Sequence, residues 1–231
     1  MALSHQPALD PDDLYDRWAR LFPDATPKAI RNAYNDVANR YDEPHRHYHT
    51  LAHVYQMLQH LDEYPTLLNA GEPRALELAV WLHDVIYDIF PPTGIPSNEN
   101  RSAEYAMLLP TQLDLPWETR FLAGRLIIAT TDHLALPGDL VTATLLDADL
   151  SILGSDPETY QRYVTQVRTE YQDASETAWA AGRATVLRAF LARPSIFYSP
   201  LVANDLEAQA RANLTAELST LDPKPVKLTN S

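Results

Sequence analysis

The chain has no cysteine among its 231 residues, which excludes a disulfide framework, a thiolate zinc site and a cysteine nucleophile together. Any metal must therefore be held by nitrogen and oxygen. Glycine is scarce, at six positions, while apolar residues recur at helical spacing in segment after segment. An all-α fold is expected rather than a sheet. Basic residues are also short, 18 Lys and Arg against 31 Asp and Glu for a net charge of -13. Such a surface repels a phosphate backbone, so no nucleic-acid polymer is expected as a partner. No stretch reaches the ~18 apolar residues of a membrane span. The start, "MALSHQPALDPDDLYDRW", has no basic stretch followed by an apolar run. The expectation is a cytoplasmic protein with no membrane partner.

With 45% hydrophobic and 21% charged residues, the composition is that of an ordinary globular protein, and the length suits one domain spanning 1–231. The apolar periodicity predicts helices at roughly 11–22, 27–41, 51–64, 74–88, 98–110, 117–131, 139–153, 157–174, 176–192 and 200–220. Pro11, Pro27, Pro73, Pro116 and Pro157 stand where first helical turns would begin, as proline's fixed φ favours. The tail over 222–231 is expected to be frayed.

Three segments carry polar residues in apolar surroundings. The stretch "LELAVWLHDVIYD" over 76–88 places apolar side chains all round a helix, which is the pattern of a buried one. It nevertheless carries His83 and Asp84 in its interior, and a lone buried carboxylate costs several kcal/mol unless paired. In "VTATLLDADLSILG", the ~100° helical step puts Asp149 amid the face of Leu145, Leu146, Ile152 and Leu153 and turns Asp147 away toward solvent or a local cap.

The third segment is "HRHYHTLAHVYQMLQHL". Thr50 is a natural N-cap, and the helix after it places Leu51, Val54, Met57, Leu58 and Leu61 on one face with His53 at its border. His45 and His47 precede that helix as loop residues. His49, four before His53, joins it only if the helix begins early, and the pair lacks the glutamate of a zinc-protease H-E-x-x-H motif. Neutral imidazole and carboxylate are suitable ligands for divalent transition metals. One ion shared by His53, His83, Asp84 and Asp149 would account for all three anomalies.

These residues resemble the HD superfamily of metal-dependent phosphohydrolases, whose pattern is a histidine, a later His-Asp doublet and a distal aspartate. "HRHYHTLAH", "LHDVIYD", "SNENRSAEYA" and "LLDADLSILG" together are similar to one branch of HD-type phosphohydrolases of uncharacterised substrate, over a motif core of about 40–155. Residues 156–221 form a helical extension. The resemblance implies an HD-domain-like helical bundle with the metal site between central helices. It also implies hydrolysis of a phosphoester of a small metabolite, such as a nucleotide, by a metal-activated water.

The supporting residues have two readings each. Asp88, four after Asp84, either orients a water or a ligand histidine or is an exposed carboxylate at a helix end. Glu99 either moves a proton or merely complements a helix N-terminus. His133, after "LIIATTD", is an acid, base or substrate contact, or complements a helix C-terminus. Arg46, Arg125 and His49 are candidates for substrate binding, the arginines because their fork matches phosphate. His133 is the only histidine between doublet and distal aspartate, so one metal ion is expected, drawn from Mn, Fe, Co, Ni, Zn or Mg. Expected partners are a small phosphorylated substrate and, for a homodimer, a second copy of the chain. The competing expectation is a non-catalytic ligand-binding or sensing protein with a structural metal.

Overall fold

A computed structural model of the chain describes residues 10–64 and 73–221. Its helices are α1 (Pro11–Arg20), α2 (Pro27–Tyr41), α3 (Leu51–Glu63), α4 (Pro73–Leu82), α5 (Asn98–Met107), α6 (Trp117–Ile128), α7 (Leu140–Leu150), α8 (Pro157–Glu170), α9 (Glu176–Leu191) and α10 (Pro200–Leu221). No strand occurs among the described residues, and the protein is all-α as the periodicity requires. The tail expected to fray lies outside the described residues.

Helix starts follow the sequence because side-chain oxygens accept the first free N–H groups. Asp10, Thr26, Thr50, Ser97, Asp139, Asp156 and Ser175 cap α1, α2, α3, α5, α7, α8 and α9 in turn. Read as one domain in sequence, the chain packs as two compact units, one running to Ser151 and the other from Ile152 onward. The break falls within a 3-10 turn over Ser151–Gly154.

The first unit is built round a buried aromatic knot. Trp18 and Trp81 pack edge to face with centroids 5.3 Å apart, an arrangement that suits the ring quadrupoles. The Trp18 indole N–H donates to the Ile30 carbonyl at 3.2 Å, tying α1 to α2. Tyr41 donates to the Trp81 carbonyl at 3.0 Å, tying α2 to the end of α4.

The second unit joins α8, α9 and α10 through buried polar groups. Arg183 donates to both oxygens of Glu217, at 2.8 and 3.0 Å, and Tyr160 donates to the same carboxylate at 2.5 Å. This charge is buried with its hydrogen bonds met, the condition under which burial is tolerated. Gly154 lies against Leu206, where a Cβ would stand 2.6 Å from the Leu206 Cβ.

Two expectations of the sequence are corrected here. The helix predicted to reach residue 88 stops at Leu82, because its last carbonyls are taken by side chains. Tyr41 occupies that of Trp81, and His83 Nδ1 occupies that of Val80 at 2.9 Å. The second correction concerns Asp147, expected to face solvent. It is 0% exposed and is not without a partner. Helix α7 packs against α3, α4 and α6, and its exposure is concentrated at its start, at Leu140, so Asp147 near its end is buried.

Candidate metal centre

His83 and Asp84 occupy a turn directly after α4 rather than a helix interior. Arg46 holds that turn. Its guanidinium donates to the carbonyls of Asp84 at 2.6 Å, Val85 at 3.2 Å and His49 at 3.3 Å, and its Nε to Glu43 at 3.0 Å. The side chain is 0% exposed. Arg46, expected to contact phosphate, therefore spends its donors on the backbone and clamps the segment before α3 to the His-Asp doublet. Burial and backbone carbonyls leave no periodic trace, so the sequence held no signal for this role.

A carbonyl can only accept, so the contact to Val80 fixes the proton of a neutral His83 on Nδ1 and turns the Nε2 lone pair inward. That Nε2 stands 3.2 Å from Nε2 of His53, 3.1 Å from Asp84 Oδ2 and 3.9 Å from Asp149 Oδ1. His53 Nε2 is 3.2 Å from Asp149 Oδ1. His53, projected from α3, and Asp149, from the last turn of α7, come to this point because their helices pack on each other. Ligand atoms of His53, His83 and Asp84 all lie within 4.8 Å of one another. Asp149 falls outside that closest trio, yet its two short approaches to the histidine nitrogens place it on the same centre.

The spacing suits an ion. Two ligand atoms each ~2.1 Å from one metal, at angles of ~90–109°, stand ~3.0–3.4 Å apart. Nitrogen and oxygen lone pairs facing one another at this distance repel unless a cation or a proton lies among them. The protonation behaviour reflects that balance. Burial lowers the His83 pKa, but Asp84 and Asp149 outweigh it and raise it to about 9. Burial works against ionisation of Asp84, yet His83 beside it holds its carboxyl well below the usual range. Asp149 is depressed likewise, against burial, by His133 and His53. Burial pushes His53 down. Two ionised carboxylates and two imidazoles thus form a cation-seeking set, and a divalent ion would displace the His83 proton.

The other predicted residues divide. His133 joins the cluster, its Nε2 3.1 Å from Asp149 Oδ2, from a backbone with φ of 53°, a conformation few residues other than glycine adopt. His49 stacks on Tyr87 at 4.2 Å between centroids and stands 4.0 Å from Asp84. Asp88 lies outside any helix, so its four-residue spacing from Asp84 has no helical meaning. Its carboxylate accepts from Arg101 at 2.7 Å, and its backbone is bracketed by Asn98. Glu99 stands half-buried in the first turn of α5, and no bond joins it to the cluster among the described residues. Arg125 is exposed on α6. His45 donates to the Tyr87 carbonyl at 2.7 Å, a part for it that the sequence did not reveal.

A cavity of about 850 Å³ opens in the same unit between α2 and α5, over Ala29, Ala33, Ile86, Tyr105 and Leu109. None of the four candidate ligands lines it. Its Asp36 already accepts from Tyr105, and its Arg101 is engaged by Asp88.

No family model, no curated protein and no solved structure matches the chain.

Proposed function

We propose that the chain is a metal-dependent phosphohydrolase of the HD type. The observation that carries this reading is the convergence of His53, His83, Asp84 and Asp149 at 3.1 to 3.9 Å, with His83 held in a metal-ready tautomer by Val80. The order of those residues in the chain is the order of the superfamily's pattern. A divalent ion held there supplies an acidified water and neutralises charge on a phosphoryl group. Two nitrogen donors favour Mn, Fe, Co, Ni or Zn over Mg, and exclude Ca²⁺ as a good fit.

The protein's own groups would do the rest. His53 and His83 are buried, whereas Asp84, Asp149 and His133 keep partial exposure on their side chains. The carboxylate side is therefore the side from which a substrate would approach in this reading. His133 is placed to hold or pass a proton at Asp149 Oδ2. His49, backed by Tyr87, stands beside Asp84 and would meet the substrate. A nucleotide or another small phosphorylated metabolite is the proposed substrate class. No helix among the described residues is long and apolar enough to cross a membrane, and a cytoplasmic place accords with this reading.

The test is elemental analysis of the purified protein, followed by a phosphate-release screen over nucleotides and sugar phosphates with each metal added back. Roughly stoichiometric metal and chelator-sensitive release are expected. A fully loaded protein that turns over no phosphoester, and whose melting temperature alone falls on chelation, would identify a structural ion and overturn the enzymatic reading.

A further inference from the structure

Helix α6 is apolar on two sides but covered on one. Ala123, Gly124, Leu126 and Ile127 are buried, and Gly124 lies close enough to Ala103 and Met107 that α6 rests on α5 there. On the other side Trp117 is 59% exposed, Phe121 48% and Ile128 45%. The Trp117 and Phe121 rings adjoin, with centroids 6.0 Å apart. A helix apolar all round is ordinarily one that is buried all round. Exposed aromatic residues in a row at helical spacing mark a surface awaiting a partner.

The charges on that stripe identify the partner. With Trp117 at 0° and the ~100° step of the helix, Ile128 falls near 20°, Phe121 near 40°, Arg125 near 80° and Glu118 near 100°. Glu118 and Arg125 are both exposed and flank the same edge of the stripe, two turns apart. Their midpoint lies between residues 121 and 122. A twofold axis through that midpoint, relating two antiparallel copies of α6, sets Glu118 of each copy opposite Arg125 of the other. The same axis brings Phe121 against its own counterpart and Trp117 within two residues of Ile128. The stripe is its own complement in shape order and in sign, which is the requirement of an isologous interface.

We propose that two copies of this chain pair through α6 in antiparallel register about residues 121 and 122. The three apolar side chains supply only part of the ~800 Å² per partner that a standard interface buries. Leu134, Leu136 and Leu140 follow α6 in the chain and are exposed as well. Pairing assigns Arg125 to the interface rather than to substrate. None of the cluster residues takes part, so the interface and the phosphohydrolase reading stand or fall separately.

The experiment is sedimentation of the full chain at ~0.1–100 μM and ~0.15 M salt, reading mass against the 26.0 kDa monomer. A weak dimer is expected, with a dissociation constant on the order of 1–50 μM, the range of interfaces at the low end of size. Glu118→Arg and Arg125→Glu should each weaken it ~10-fold or more, since each sets like charges opposite one another twice. The double swap should return affinity to within about threefold of the parent. Phe121→Asp should leave a monomer with unchanged far-ultraviolet circular dichroism. A chain monomeric at 100 μM, a dimer indifferent to Phe121→Asp, or a double swap no tighter than the single variants would overturn the proposal. The two charge variants alter exposed side chains only, so the test survives even if Phe121→Asp were to unfold.

Discussion

Nε2 of His133 stands 3.1 Å from Oδ2 of Asp149, and the backbone that places it there is left-handed. The other oxygen of the same carboxylate faces His53. One aspartate is thus oriented at both ends, and only the His53 side belongs to the proposed ligand set. His133→Ala should keep the metal, measured by elemental analysis, and lower phosphate release by ~10²–10⁴-fold, the usual contribution of a positioned proton donor or acceptor. His133→Gly should be more stable than His133→Ala by about 1 kcal/mol in thermal unfolding, because glycine adopts φ of 53° without strain. Loss of the ion in either variant would make His133 a ligand instead.

The two aspartates of α7 should separate cleanly. Asp149→Ala and Asp84→Ala remove anionic donors from the centre and should abolish metal retention in a folded protein. Asp147→Ala should keep the ion in whatever protein folds, yet lower stability on the order of 3 kcal/mol, since it empties a fully buried position. Denaturant midpoints and metal content measured on the same samples decide the matter. Metal loss from Asp147→Ala with stability intact would place that residue in the centre.

Arg46 is expected to behave as a structural clamp. Arg46→Ala leaves the carbonyls of Asp84, Val85 and His49 without their donor and should cost on the order of 3 kcal/mol. Arg46→Lys should recover little of this, because one ammonium cannot span the positions reached by a planar fork. If Arg46→Lys instead matched the parent in stability and only raised KM for a phosphorylated substrate, the role would be recognition.

His60 reports on acid stability. It is buried in α3, both ring nitrogens lack a hydrogen-bond partner among the described residues, and burial lowers its pKa to about 4. Its unfolded value is ~6.5, so between these limits the unfolded chain binds more protons and stability must fall as pH drops. The loss attributable to His60 is on the order of 3 kcal/mol by pH 4. His60→Leu should remove that part of the slope and be neutral or stabilising at pH 7. Parallel pH profiles for parent and variant would disprove the assignment.

Much of this protein was legible along the chain. Helix starts are local events, so Pro11, Pro27, Thr50, Pro73 and Pro157 marked them correctly. Buried polar residues in apolar periodicity likewise drew His53, His83, Asp84 and Asp149 together before any contact was known. What the chain could not show was anything settled by a neighbour distant in sequence. The early end of α4 is decided by Tyr41, forty residues away, and by a histidine turning back on its own helix. Arg46 became a clamp because the turn it holds was brought to it by α3 and α4. Asp147 was misjudged because helical periodicity divides a helix into faces but does not say which faces have neighbours. Capping and amphipathicity depend on residues within a turn or two and are therefore written in sequence. Burial, tautomer and the convergence of ligands depend on which helices pack together, and only the tertiary structure decides that.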